Sequence, residues 1–237
     1  MSMSVLKEPK PHREFELERL ILFSDAVFAI AITLLIIEIK LPSLPNKLSE
    51  HDYWVALKPV ATEFSVFAAS FVFIGNFWVR HLNLCRFLQQ YNEGLIRRNL
   101  FFLFFIVSFP FSTSAILHTN EHFMLPFFIY LCNLSGCLAA LFWISYYIFQ
   151  RNPGLTIPGH HTEKELLYQR FKYGFLTMAT GFTCIVMTYF LYPENITYQR
   201  ISYFSIPILA LFNHFRLKIK KRNTLRLVHR VAPNNHN

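Results

Sequence analysis

The chain has 237 residues, of which 53% are hydrophobic, 17% aromatic and 16% charged. Soluble domains carry about a quarter charged residues, so this composition excludes an ordinary soluble protein, and the 27 Phe point the same way. A net charge of +9 would suit nucleic acid, but in so apolar a chain it must first be tested against the positive-inside bias of membrane proteins.

Several apolar runs of about 20 residues, with charges gathered between them, match the ~30 Å hydrocarbon core of a bilayer and define an all-α membrane protein. Residues 1–18 form a polar lead containing Lys7, Lys10 and Arg13. The first span runs from Leu20 to Ile39, and Lys40-Leu41-Pro42 stops it. It is too long for a cleavable signal, lies behind charged residues and has no small-residue cleavage site, so it is expected to be retained. Asp25 lies within its first two turns. An Asp at the centre of a bilayer costs roughly 2.5–3.5 kcal/mol, so this carboxylate needs a partner. Arg19 cannot supply it from the same face, because six residues turn a helix through about 600°. Further along, Ile30, Leu34 and Ile37 recur at i, i+4 and i+7 with Thr33 beside them. From periodicity alone such a stripe is more often a packed helix interface than anything else; the sharper reading is an apolar constriction that gates a pore by dewetting.

The second span runs from about Trp54 to Val79, with Lys58 and Glu63 placed at its outer end or inside protein. Arg80, Arg86, Arg97 and Arg98 bracket the next connection. Asn99 to His118 is the third span; its Pro110 is tolerable because neighbouring helices and the hydroxyls of Ser108, Ser112, Thr113 and Ser114 can satisfy the freed carbonyl. A turn at Thr119 to Glu121 leads to a fourth span, Phe123 to Phe149. Gln150 to Gln169 is a polar loop, Tyr173 to Tyr192 a fifth span, Pro193-Glu194-Asn195 a turn, and about Ile201 to Leu217 a sixth span with a kink expected at Pro207. The division is thus a lead over 1–18, a six-helix transmembrane domain over 19–218 and a basic tail over 219–237, suited to anionic lipid. Of the 23 Lys and Arg, only Lys40, Lys47, Lys58 and Arg200 fall on one side when the spans alternate. Both termini are therefore expected in the cytoplasm. That distribution accounts for the basic charge and removes nucleic acid as a partner. Cys85, Cys132, Cys137 and Cys184 have no CxxC spacing and are expected to be small buried hydrophobes.

No catalytic constellation appears: HExxH, GxSxG and a Gly-rich phosphate loop are absent, no paired metal spacing occurs among the His, and His160-His161 fits a solvated loop. An enzyme, a metal site and an organic cofactor are therefore not expected. The TVGYG carbonyl filter and an arginine ladder for voltage sensing are also absent. A channel would have to select through side chains, whereas a cation- or proton-coupled secondary transporter would use an inverted repeat or broken helices. No convincing repeat is visible, but Pro110 and Pro207 keep that alternative open.

Arg19-x-x-x-Phe23-Ser24-Asp25, followed by Ala26-Val-Phe-Ala-Ile-Ala-Ile-Thr-Leu-Leu, resembles the first-helix signature of the transmembrane protein 175 family of potassium channels. The likeness continues through Ser70-Phe71, Trp78, His81, Asn99-Leu100 and Pro110-Phe111-Ser112-Thr113. It implies a potassium-selective channel of the plasma membrane, a homotetramer of single six-helix subunits like the prokaryotic members, with the first helix of each lining a central pore. By that resemblance Ile30, Leu34 and Ile37 form the constriction and Thr33 a hydroxyl layer favouring potassium, the permeant ion. Arg19, Phe23, Ser24 and Asp25 hold the first helix against its neighbours, with Trp78, His81 and Asn99 as partners. The residues themselves suggest a hydrogen-bonded group of Ser24, Asp25, His81 and Asn99, with Asp25 structural. One departure is Arg80-His81-Leu82, where the family often carries paired histidines. Beyond the third helix the likeness is mainly one of hydropathy.

Overall fold

The structure, a computed structural model, describes residues 11–40, 49–117 and 124–231. The start of the expected lead, most of the loop after Pro42, the turn at Thr119 to Glu121 and residues 232–237 of the tail lie outside the described residues. In chain order the helices are α1 (Pro11–Leu34), α2 (Glu50–Cys85), α3 (Glu93–Val107), α4 (Phe109–Leu117), α5 (Leu125–Tyr146), α6 (His161–Leu191), α7 (Ile196–Ser202) and α8 (Ser205–Val231). Among the described residues, five stretches are long and apolar enough to cross a membrane: Glu16–Glu38, Glu50–Cys85, Glu93–Leu117, Leu125–Arg151 and His161–Leu191. They correspond to the first five expected spans. The sixth, α8, is apolar only as far as Leu217 and basic beyond it, and it runs on past the residue expected to begin the tail.

Local chemistry explains where the helices start and break. The Ser49 hydroxyl accepts the Asp52 N–H at 3.2 Å, and Glu50 and Asp52 lie in the first turn of α2, where carboxylates meet the positive end of the helix dipole. With 36 residues, α2 is about 54 Å long and outreaches the ~30 Å hydrocarbon core, which lets its polar ends stand in the interfaces. The expected third span is two helices. Pro110 has no N–H to continue the ladder, so α3 ends at Val107 and α4 begins at Phe109, with the Ser108 hydroxyl donating to the Phe104 carbonyl at 2.7 Å. The sixth span breaks at Tyr203-Phe204 instead of kinking at Pro207. Pro207 falls in the first turn of α8, where an amide proton has no partner within the helix.

The polar stretch after the fourth span is shorter and more ordered than its composition suggests. A wide turn at Tyr147–Arg151 and a tight one at Pro153–Leu155 lead into a two-sided pairing with the α2–α3 connection: the Gln89 amide donates to the Leu155 carbonyl and the Ile157 amide to the Phe87 carbonyl, each at 2.9 Å. Leu155 is buried there. Left-handed backbone at Gly159 (φ 78°) and His160 (φ 54°) then turns the chain into α6, which already begins at His161. His160 and His161 are exposed, as expected of a loop pair.

α5 is the centre of the bundle. It packs against α3, α4 and α6, while α8 packs along α6 and α1 lies against α3 and α2. Tyr130, Leu134, Cys137, Leu141 and Ile144 of α5 are all buried. Gly136 sets its approach to α3, because a Cβ there would fall on the Phe105 ring. Gly136→Ile is expected to cost about 1–3 kcal/mol by overpacking, measurable as a lower unfolding temperature in detergent. Cys137 is buried as expected, but Cys132 and Cys184 are exposed and Cys85 only half-buried. In a bilayer an outward-facing thiol meets lipid rather than water, so a small apolar side chain need not be inside.

Candidate permeation helix

From Leu20 onward α1 is apolar on nearly every side apart from Ser24, Asp25 and Thr33, and packing divides it into two faces. Leu17, Ser24, Phe28, Ala31 and Leu35 form the inward face, with Phe28 only 1% exposed and Leu35 fully covered. Their spacings of 7, 4, 3 and 4 residues keep them on one stripe. The opposite face carries Phe23, Ile30, Thr33, Leu34 and Ile37, all exposed, with Ile30 at 56% and Ile37 at 67%. The sequence-predicted stripe is thus one face that the described residues of the protomer leave exposed.

Helix geometry sharpens that stripe. After Leu34 the chain tightens into a 3-10 turn over Leu35–Glu38. Residues three apart eclipse in such a turn, which carries Ile37 back toward the meridian of Leu34, where a continued α-helix would displace it by about 60°. The turn is held from α2, since the Lys40 amide donates to the Glu63 carboxylate at 3.1 Å. Glu63 is therefore a structural acceptor at the end of the first span. The Thr33 hydroxyl donates to the Ile30 carbonyl at 2.9 Å. Its proton is engaged by the helix, so the exposed oxygen presents acceptor lone pairs outward.

The signature residues lock this rotation. Asn99 of α3 donates through Nδ2 to the Ser24 hydroxyl at 2.8 Å, and the Ser24 hydroxyl donates to the Leu20 carbonyl at 2.9 Å. That leaves Asn99 Oδ1 as the acceptor for His81 Nε2–H at 2.9 Å, which fixes a neutral His81 as the Nε2–H tautomer. His81 stacks on Phe102 at 5.6 Å between ring centroids and lies 5.9 Å from the Phe28 ring. Ser24, His81 and Asn99 are all buried, so one short chain of hydrogen bonds ties α1, α2 and α3 together. Asn99→Leu would leave His81 and Ser24 without their shared partner. A loss of about 1–2 kcal/mol is expected, read as a lower denaturation midpoint in detergent.

Asp25 stands outside that group. Its carboxylate accepts the Trp78 indole N–H at 2.8 Å, one helical turn before His81 on α2. The expected four-residue network is therefore two adjacent ties, Ser24–Asn99–His81 and Asp25–Trp78. Adjacent residues on α1 point about 100° apart and so meet different partners. Phe23 is exposed, at 51%. Arg19 is exposed, one turn before Phe23 on the same helix.

A second polar cluster had no counterpart in the sequence reading. Thr113 of α4 donates to the Ser70 hydroxyl of α2 at 3.1 Å, Ser70 meets the Tyr130 hydroxyl of α5 at 3.1 Å, and Asn133 donates to Ser112 at 3.2 Å. All five are buried. The signal was a Tyr and an Asn one turn apart inside the apolar fourth span, a pair that lipid would not satisfy. Among the described residues no group of His, Cys, Asp and Glu could hold a metal ion.

Residues 19–110 match the family described as the endosomal/lysosomal potassium channel TMEM175. A potassium channel of Chryseobacterium sp. (strain P1-3) is 33% identical over 98 residues, 41% of this chain and 47% of that protein. One of Streptomyces collinus is 35% identical over 94 residues, 40% of this chain and 44% of that protein. The chain thus spans less than half the length of either curated relative. Similarity of fold reaches further. The crystal structure of a lysosomal potassium-selective channel TMEM175 homolog from Chamaesiphon minutus superposes with a TM-score of 0.63 at 21% identity, covering 85% of this chain and 98% of that one. A variant of the potassium channel MtTMEM175 superposes with a TM-score of 0.56 at 16% identity, covering 91% of this chain and 97% of that one. Residues 19–110 are thus similar in sequence to the TMEM175 family, and the chain as a whole shares the fold of the solved TMEM175 homologues.

Proposed function

We propose that the protein is the subunit of a potassium-selective channel in which α1 from each of four copies lines a central pore. The observation that carries this reading is the two-faced first helix: its inner face is fastened to α2 and α3, and its outer face is a row of branched apolar side chains left bare by the protomer. Four copies of that face around an axis would form an apolar constriction at Ile30, Leu34 and Ile37, which opens and closes by wetting. The outward-facing Thr33 oxygens would supply a layer of acceptors for a partly dehydrated cation. Asp25, occupied by Trp78, is a structural residue in this account and not an ion ligand. Potassium is the permeant species, and no organic cofactor or catalytic step is needed.

A closed pore requires several copies, and cyclic symmetry is the usual way to assemble them. Native mass measurement in detergent is expected to give a homotetramer; a monomer or dimer as the only species would defeat the pore. We place both termini in the cytoplasm on the Lys and Arg asymmetry, and the protein in the plasma membrane on the resemblance of its single six-helix unit to the prokaryotic members. The function itself is tested with purified protein in liposomes under a potassium gradient. A channel gives electrogenic potassium flux without a coupled ion. The competing class, a cation- or proton-coupled transporter, gives flux that stops when sodium and protons are removed as driving partners.

A further inference from the structure

An open groove of about 770 Å³, to which α1 contributes no lining residue, lies between α2, α5, α6 and α8. Its chemistry is graded along its length. One part is apolar, walled by Phe77, Leu134 and Ile206. The other is basic. Arg80 of α2 reaches across to α6, where its Nη1 lies 3.4 Å from the place a Cβ of Gly174 would occupy, and its charge repels that of Arg170 one turn earlier on α6. His214 and Leu217 of α8 close this end. The surface then continues into a second hollow that shares Arg170, His214 and Leu217 and adds Lys218, with Arg86 and Glu163 paired to each other at 3.9 Å on its wall.

No carboxylate lines the groove, and among the described residues neither Arg80 nor Arg170 forms an ion pair. Arg170 is exposed and Arg80 half-buried, and with no counter-ion among the described residues an anion placed between them would offset their mutual repulsion. Arg80 and Arg170 lie on the side that the Lys and Arg count assigns to the cytoplasm, where the leaflet carries anionic headgroups. The apolar furrow starts where the arginines end, as an acyl chain starts below its phosphate.

We infer that this groove is a binding site for one anionic phospholipid of the cytoplasmic leaflet, its phosphate between Arg80 and Arg170 and an acyl chain laid along Phe77, Leu134 and Ile206. Gly174 borders the site, since the Arg80 guanidinium passes over α6 at contact distance from it. The inference rests on the membrane topology and not on the permeation reading, so either can fail alone.

The test uses the full-length protein in detergent with phosphatidylglycerol or phosphatidylcholine added, and counts bound lipid by native mass spectrometry. Retained phosphatidylglycerol in preference to phosphatidylcholine is expected. Replacing both arginines, Arg80→Gln with Arg170→Gln, should reduce that preference by about 30-fold, from roughly 1 kcal/mol per basic residue at the interface. Replacing the tail residues Lys220, Lys221 and Arg222 by Gln should leave it in place. A double variant that keeps the preference, or a tail variant that loses it, overturns the site. Because the arginine variants could fold poorly, the wild-type protein is also labelled with phosphatidylglycerol bearing a photoreactive acyl chain. Cross-links on α2, α5 and α8 peptides around Phe77, Leu134 and Ile206 support the groove. Cross-links confined to other surfaces, or a groove covered by a second copy of the chain in the assembled protein, overturn it.

Discussion

Ile30→Asn is expected to raise basal cation flux through the reconstituted protein at least tenfold and to weaken its preference for potassium over sodium. Ile30 is more than half exposed on the outer face of α1, so the change leaves the contacts of Phe28, Ala31 and Leu35 with the rest of the bundle intact. A ring of amides in place of branched apolar side chains would hold water in the constriction and remove the dewetting barrier. A tenfold rise corresponds to about 1.4 kcal/mol off that barrier, a modest demand on four simultaneous substitutions. The measurement is flux-dye quenching in liposomes under matched potassium and sodium gradients. A transporter would respond in the opposite way, losing coupled flux without gaining leak.

The second large effect belongs to Asp25 and Trp78. Trp78→Phe removes the indole N–H that meets the carboxylate and leaves Asp25 without that partner near the membrane interior, at a cost of up to about 2.5–3.5 kcal/mol. A marginal assembly would not survive that loss. Trp78→Phe and Asp25→Ala should both lower the yield of tetramer on size-exclusion chromatography. Asp25→Asn should not, because its amide oxygen still accepts from Trp78. The Asn variant is therefore the informative one. If it assembles and conducts with unchanged ion preference, the carboxylate is structural. Changed preference in a well-assembled Asp25→Asn protein would make Asp25 a permeation residue.

Much of this was legible in the sequence because a bilayer imposes simple constraints. Length and apolarity located five spans, though the helix of the fifth begins at His161 rather than Tyr173, and the need to satisfy Asp25, Ser24 and Asn99 away from water said that they must find partners on other helices. Which partner each one found was not legible. Ser24 and Asp25 are neighbours in the chain, yet α1 turns between them, so one reaches α3 and the other α2. The 3-10 turn at Leu35–Glu38 was also hidden, since Leu-Ile-Ile-Glu continues the apolar pattern and the tightening is anchored by Glu63, 23 residues away from Lys40. Pro110 and Pro207 look alike as sequence, but one divides a span in two while the other only opens a helix, because the break before Pro207 had already occurred at Tyr203. The polar loop was overestimated for a related reason. Thr162 to Gln169 is polar, but it is the first part of α6 standing beyond the membrane core, and polarity alone does not separate a protruding helix from a loop.

Thiol accessibility along α1 tests the central claim most directly. In a background with Cys85, Cys132, Cys137 and Cys184 replaced by Ala, Ile30→Cys, Ile37→Cys and Phe28→Cys are reconstituted separately and treated with a charged methanethiosulfonate reagent during potassium flux. Block at Ile30→Cys and Ile37→Cys with none at Phe28→Cys is the predicted result, since only the first two side chains stand on the exposed face. Undiminished flux after treatment of Ile30→Cys and Ile37→Cys, in protein that conducts as well as the background, would contradict a pore lined by the first helix.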